Sequence, residues 1–127
     1  MKWMLRSKLH KAIVTEADLS YVGSVTIDQD LIAIAGFSPG EKVLIVSNTS
    51  GQRLETYIIE GEKGSGVICI NGAAAHVIKK GEEVIIMGFE LVDNPQAIKP
   101  AIVLVEYING KNQFKQLIDE TVPFGGH

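Results

Sequence analysis

The sequence has one cysteine, no apolar run long enough to cross a bilayer and no strong excess of either charge. The single thiol, Cys69, excludes an internal disulfide and fits a reducing compartment. A net charge of -3 gives no general attraction to nucleic acid or to an anionic membrane surface. The first residues are too charged for a secretory signal, so we expect a cytoplasmic protein with no membrane or nucleic-acid partner.

Motifs for metals and for bound phosphates are also missing. His76 and His127 have no neighbours at metal-ligand spacing, and no cluster of Cys, His and carboxylate side chains predicts zinc. No glycine-rich loop has the pattern that cradles a phosphate. Cys69 lies in an apolar run, where a buried and unreactive thiol is the expected state. We therefore expect neither a metal nor pyridoxal phosphate.

The 127 residues predict one domain with a mainly β fold. Short segments rich in Val, Ile and Tyr alternate with turns marked by Gly, Asn and Pro, which is typical of a closed barrel or a sandwich. The predicted strands cover residues 9–15, 24–27, 42–47, 55–59, 67–70, 83–89 and 101–107.

Two short helices are expected between these strands. Asp28 can cap a helix that Gly36 ends, and residues 72–77 form the second, closed by Gly81. From Lys111 onward the chain is polar and weakly patterned, and it is expected either to fray or to dock on a neighbouring subunit.

Polar residues gather at four places along the chain, and together with the Gly64-Ser65-Gly66 turn their order and spacing form a recognisable set. The motifs are Lys8-Leu9-His10, Tyr21-x-Gly23-Ser24, Gly51-x-Arg53-x-x-Thr56-Tyr57, Gly64-Ser65-Gly66 and Asn71-Gly72-Ala73-Ala74-Ala75-His76. Together they resemble the aspartate 1-decarboxylase family, the pyruvoyl-dependent enzymes that make β-alanine. The resemblance covers the chain from about Met4 to Phe89.

This resemblance implies a double-psi β-barrel with short helices, assembled as a homotetramer with sites between neighbouring subunits. It also implies a proenzyme that cuts itself between Gly23 and Ser24, giving fragments 1–23 and 24–127. A serine that follows a glycine can attack the carbonyl before it, and glycine leaves that carbonyl unshielded. Whether a maturation factor speeds the cut is left open.

The family also implies a role for each residue of the set. Ser24 becomes the pyruvoyl group, which forms a Schiff base with L-aspartate and serves as the electron sink for loss of CO2. Tyr57 donates the proton, and Thr56 supports the oxyanion of the cut and contacts the substrate. The remaining substrate-binding residues are Lys8, Arg53, Asn71, Gly72, Ala73 and Ala74, while His10 and Tyr21 lie near the site with no assigned step. The product, β-alanine, serves pantothenate and coenzyme A synthesis.

Taken one at a time, these residues have ordinary structural explanations. A Gly-Ser pair is usually a turn, and Gly64-Ser65 repeats it without any assigned chemistry. Arg53 would usually be a solvated turn residue, and Lys8 an exposed strand residue. The alternative is therefore a non-catalytic β-barrel module that binds a small anion or a protein partner. Within the enzyme interpretation, a different acidic amino acid remains a second candidate substrate.

Overall fold

Nine strands, one α-helix and two 3-10 helices make up the part of the chain that the computed structural model describes, residues 1–119. His127, considered above as a metal ligand, lies outside it. The strands are β1 (Lys2–Ile13), β2 (Glu16–Asp18), β3 (Ser24–Asp28), β4 (Lys42–Ser47), β5 (Arg53–Gly61), β6 (Ile68–Asn71), β7 (Glu83–Val92), β8 (Ala101–Ile108) and β9 (Lys111–Ile118). Helix α1 spans Gln29–Ala35, and the 3-10 helices span Gly72–His76 and Pro95–Ala97.

All nine strands belong to one mixed sheet in the order β2-β6-β3-β5-β4-β7-β1-β8-β9. Three neighbouring pairs are parallel, namely β1 with β8, β2 with β6 and β3 with β5, and the others are antiparallel. The predicted mainly β fold with short helices is confirmed, and each predicted strand corresponds to an observed one. β2 and β9 were not predicted, and β1 begins seven residues before the predicted start.

The sheet wraps around one hydrophobic core. Alternate residues of the strands point inward and are fully buried, among them Leu9 of β1, Val25 of β3, Ile58 of β5 and Ile86 of β7. Because side chains alternate along a strand, the residues between these point to the outer face of the sheet. This alternation decides which polar residues of the candidate site can share a surface.

Helix α1 forms as the sequence predicts. The Asp28 carboxylate accepts a hydrogen bond from the backbone N–H of Asp30, and Gly36 ends the helix in the left-handed conformation with φ +70°. The same carboxylate accepts from the N–H groups of Gly64 and Gly66, at 3.1 and 2.8 Å. Asp28 therefore joins the start of α1 to the second Gly-Ser turn.

The other predicted helix is shorter than expected. It is a 3-10 helix that stops at His76, with Val77 rather than Gly81 as its C-cap. Gly81 belongs to the next turn, where φ is +91° and its N–H donates to the Val14 carbonyl oxygen at 2.8 Å. The expectation that Gly81 closes the helix is therefore wrong, because a single 3-10 turn needs no glycine to end it.

The segment that begins at Lys111 has regular secondary structure over Lys111–Ile118. It forms β9, which pairs with β8 through the tight turn at Asn109 and Gly110, where φ is +52° and +78°. Two successive positive φ values are those of a type I′ hairpin turn. The expected fraying is wrong for this stretch, whereas docking on a neighbouring subunit stays a prediction.

Candidate active site

The Gly23-Ser24 bond joins an exposed loop to a buried strand. Gly23 is exposed, whereas Ser24 begins β3 with 0% of its surface exposed. The Ser24 hydroxyl donates to the carbonyl oxygen of Val22 at 3.3 Å and accepts from Nδ2 of Asn71 at 2.8 Å. The hydroxyl is therefore held from two sides at the point where the chain enters the sheet.

Asn71 is fixed through both ends of its carboxamide. It lies opposite Ser24 in the antiparallel pairing of β3 with β6. Its Nδ2 donates a second hydrogen bond, to Oγ1 of Thr26 at 2.9 Å, and its Oδ1 accepts from the thiol of Cys69 at 3.2 Å. Because Ser24, Thr26, Cys69 and Asn71 all alternate with core residues, they share the outer face of the sheet.

Gly72 lies directly against the backbone of Gly23. A Cβ at this position would come within 2.7 Å of both the Cα and the backbone N of Gly23, and within 3.0 Å of the Tyr21 carbonyl oxygen. Its φ of +67° is also one that residues with side chains rarely adopt. No side chain fits between this backbone and the loop, so Gly72 sets where Gly23 can lie.

The loop that leads to Gly23 is anchored at its start. The Asp18 carboxylate accepts from the hydroxyl of Ser20 at 2.6 Å and from its backbone N–H at 3.0 Å. The hydroxyl bond, followed by the backbone bond, lowers the pKa of Asp18. Tyr21, expected near the site, is exposed in this loop, and its side chain has no catalytic contact among those described.

Tyr57 and Thr56 lie on the strand beside Ser24, but on opposite faces. In the parallel pairing of β3 with β5, the first partners are Val25 and Ile58, so Tyr57 and Thr56 precede the paired stretch of β5 as Ser24 and Gly23 precede that of β3. Tyr57 shares the outer face with Ser24 and is 40% exposed. Thr56 points to the inner face between Leu54 and Ile58.

Within one chain, neither Lys8 nor Arg53 lies beside Ser24 in the strand register. Lys8 is on β1, which lies four places from β3 in the order of the strands. Arg53 begins β5 four residues before Tyr57, or about 13 Å along that strand. Both point to the outer face. A single chain therefore places Tyr57, Asn71 and Gly72 at Ser24, and leaves Lys8 and Arg53 elsewhere.

His10 accompanies Lys8 rather than Ser24. Both side chains are half-buried on the outer face of β1, two residues apart. The backbone then bulges before Ala12, with Lys11 at φ +64°. His10 thus lies with Lys8 on β1.

Cys69 is buried as expected, but it contacts the site. Burial, and after it the negative charges of Glu16 and Asp18, raises the pKa of the thiol to about 11. The thiol is therefore protonated at neutral pH and can donate to Asn71, as noted above. Neither the contact of Cys69 with Asn71 nor that of Thr26 with Asn71 was predicted from the sequence. Yet Cys69 is two positions from Asn71 and Thr26 two positions from Ser24, which is the spacing of residues on one face of a strand.

The second Gly-Ser pair has a different environment. Ser65 is in a turn, where its hydroxyl donates to the Glu62 carbonyl oxygen at 2.6 Å and accepts from the Val67 N–H at 3.3 Å. These contacts close the turn upon itself, and neither involves the polar residues around Ser24.

Comparison with known proteins is decisive for the family. Residues 1–114 match the model of the family described as aspartate decarboxylase. The chain is 51% identical over 122 residues to the aspartate 1-decarboxylase of Neisseria meningitidis, covering 94% of each chain. It is 49% identical over 117 residues to that of Bacillus subtilis and 53% identical over 116 residues to that of Bacillus pumilus. The alignment with the Bacillus subtilis protein covers 91% of this chain and 90% of that relative. The alignment with the Bacillus pumilus protein covers 91% of each chain.

The chain belongs to the aspartate decarboxylase family. This confirms the resemblance inferred from the motifs, and the match extends to residue 114, beyond the diagnostic motifs. Within residues 1–119, no group of three His, Cys, Asp or Glu side chains could hold a metal ion. None of the helices in that stretch is long and apolar enough to span a membrane.

Proposed function

We propose that this family member cuts its own chain between Gly23 and Ser24, and that the mature protein decarboxylates L-aspartate to β-alanine and CO2. Family membership, at about half identity to proteins named aspartate 1-decarboxylase, supports the reaction. The observation that carries the cut is the position of Ser24, which is fully buried, bonded by Asn71 and preceded by an exposed glycine.

The cut uses only atoms of this chain and one water. Oγ of Ser24 adds to the carbonyl carbon of Gly23, and the C–N bond then breaks to leave an ester and a free amine. Loss of the Ser24 α-proton breaks the Cβ–Oγ bond, which releases Gly23 as a carboxylate and leaves dehydroalanine. Water then replaces the nitrogen, which leaves as ammonia, so that a pyruvoyl group ends the fragment 24–127.

The surrounding residues suit the charges that form in these steps. Negative charge first develops on the carbonyl oxygen of Gly23, and we assign its stabilisation to Thr56, which precedes Ile58 by two residues as Gly23 precedes Val25. Charge later develops on Oγ when Gly23 departs as a carboxylate, and Nδ2 of Asn71 already donates to that atom. Gly72 keeps the loop backbone in place during both steps, because it contacts Gly23 directly.

The pyruvoyl group fits the position of Ser24, because it keeps the three carbon atoms of that residue. Its ketone supplies the electron sink for decarboxylation of a bound amino acid. Tyr57 is half-exposed on the same face as position 24 and directly precedes Ile58, the partner of Val25, which suits a donor to a substrate that enters from solvent. We assign Tyr57 the proton donation at the carbon that loses CO2.

Holding an acidic substrate requires cations that one chain does not bring to Ser24. Arg53 offers a planar fork for a carboxylate, and Lys8 a point charge. Since neither lies beside Ser24 of its own chain in the strand register, we propose that a neighbouring copy supplies them, in a homotetramer with sites between subunits. Asn71 and the backbone of residues 72–74 complete the substrate contacts.

The non-catalytic alternative has less support. A binding module would not need a buried serine bonded by Asn71 behind an exposed glycine. Family membership likewise favours the enzyme. If the substrate were a different acidic amino acid, its side-chain carboxylate would meet Arg53 and Lys8 differently, but the chemistry at Ser24 would be the same.

The test is intact-mass analysis of the purified protein combined with a CO2-release assay on L-aspartate. We expect fragments 1–23 and 24–127, the larger one lighter by one ammonia than a fragment that begins with serine. Ser24→Ala should abolish both the cut and turnover, while Ser65→Ala, in the other Gly-Ser pair, should retain both. A Ser24→Ala protein that still releases CO2 would refute the proposal.

A further inference from the structure

The carboxamide of Asn71 could in principle lie either way round at Ser24. A hydroxyl can both donate and accept, so Thr26 would satisfy either end of the amide, whereas the Ser24 hydroxyl donates to the Val22 carbonyl oxygen and is left to accept. In the observed orientation Nδ2 faces both hydroxyls, at 2.8 and 2.9 Å. Ser24 therefore favours this orientation at one end of the amide, and the group at the other end decides how firmly it is held.

The group at the opposite end is the thiol of Cys69, whose Sγ lies 3.2 Å from Oδ1 of Asn71. A thiol is a better partner for an amide oxygen, to which it donates, than for an amide N–H, because sulfur is a weak acceptor. The backbone directs this contact, because both residues are on β6 two positions apart and on the same face. The site is buried, so water cannot replace the thiol.

The orientation matters for the cut. With Nδ2 toward Ser24, an N–H points at Oγ, where negative charge develops when Gly23 leaves as a carboxylate. In the reversed orientation the amide oxygen would face that charge and oppose it. An environment that favours the first orientation therefore speeds the reaction without touching the reacting atoms.

We propose that Cys69 is a positioning residue for self-cleavage, and that its thiol holds the Asn71 carboxamide with Nδ2 toward Ser24. This inference rests on the proposed function. The raised pKa of the thiol is consistent with it, because the thiol stays a donor through the neutral range.

The experiment compares cleavage rates of full-length precursors made by pulsed cell-free synthesis and followed on gels. Cys69→Val keeps most of the volume and removes the donor, so cleavage should slow about threefold to tenfold, the range of one neutral hydrogen bond. Cys69→Ser keeps a donor and should recover most of that loss. The matched control is Ile70→Val on the same strand, which loses core volume without touching the amide and should cleave within about twofold of wild type.

A purely structural role predicts another order. If packing alone mattered, cleavage would follow thermal stability, so Cys69→Ser would be slower than Cys69→Val and Ile70→Val would be slowed as well. Such an order would overturn the inference. In an Asn71→Ala background, Cys69→Val should have no further effect, and an undiminished effect there would also refute it.

Two safeguards keep the result interpretable. Cys69→Ala removes the same donor with a smaller side chain, and it replaces Cys69→Val if that variant fails to fold. Absence of any cleavage in the wild-type precursor would refute the proposed function itself. Wild-type cleavage with an equally fast Cys69→Val variant would refute only the role of Cys69.

Discussion

Replacing Gly72 by alanine should slow the proposed self-cleavage strongly, because the added Cβ would collide with the backbone of Gly23. It would lie 2.7 Å from the Cα and N of Gly23, whereas ordinary contacts begin near 3.4 Å. The two segments must therefore separate by about 0.7 Å. Displacement of a reacting group by about 1 Å can cost on the order of a hundredfold in rate. We expect the cut to slow roughly 10- to 100-fold.

The same substitution also strains its own backbone, and a control can separate the two effects. Gly72 has φ +67°, where a residue with a Cβ costs about 1–2 kcal/mol. Gly64 has φ +78°, and no atom lies within 4 Å of the place that a Cβ would take, so Gly64→Ala meets the same strain without the collision. Both variants should lose stability, but only Gly72→Ala should lose cleavage rate.

The assay is a time course of precursor conversion on gels, with thermal unfolding recorded for each variant. Overpacking adds about 1–3 kcal/mol to the strain at Gly72, so its Tm should fall below that of Gly64→Ala. Equal cleavage rates in the two variants would refute the reasoning. Equal rates would show that the loop accommodates the added Cβ at position 72 without displacing the peptide bond between Gly23 and Ser24.

Two further substitutions test the framework around the site. Burial alone would raise the pKa of Glu82, but hydrogen bonds from Ser47 and the backbone lower it below its ordinary 4.5. Its stabilisation is therefore complete above that pH and is lost as the pH falls through the folded-state pKa. Glu82→Gln should lower Tm at pH 7, and the gap to wild type should close in acid; a constant gap would contradict this. Asn112→Leu should cost about 3 kcal/mol by chemical denaturation, because its carboxamide satisfies both the N–H and the C=O of Ile13 at 2.8 Å. A loss below about 1 kcal/mol would contradict this.

The pattern of the sequence predicted the strands that carry a clear hydrophobic signal. β9 was missed because most of its residues are polar and exposed, with Asn112 as its one buried position. β5 was predicted from residue 55, yet it begins at Arg53, so that the expected turn residue is part of a strand. An exposed charged residue at the end of a strand has the same local signature as a turn residue, and only pairing with β4 distinguishes them.

The candidate site was predicted as a set of residues, but not as a geometry. Lys8 belongs to the first strand in sequence, and nothing local shows that this strand lies between β7 and β8, four places from β3. Such an order depends on long-range pairing. Thr56 and Tyr57 are adjacent in sequence, and their separation onto opposite faces follows from the two-residue period of a strand once its core face is known.

The position of β1 in the sheet determines how the two fragments would stay together after the proposed cut. Fragment 1–23 would carry this strand, hydrogen-bonded on both sides to strands of the other fragment. The mature subunit would be a complex of two polypeptides without a covalent link, and its shorter member could not leave without dismantling the sheet. Folding must then precede cutting. After heat denaturation, the cut protein would have to refold by association of two polypeptides, so its refolding would depend on concentration, whereas refolding of the uncut chain would not.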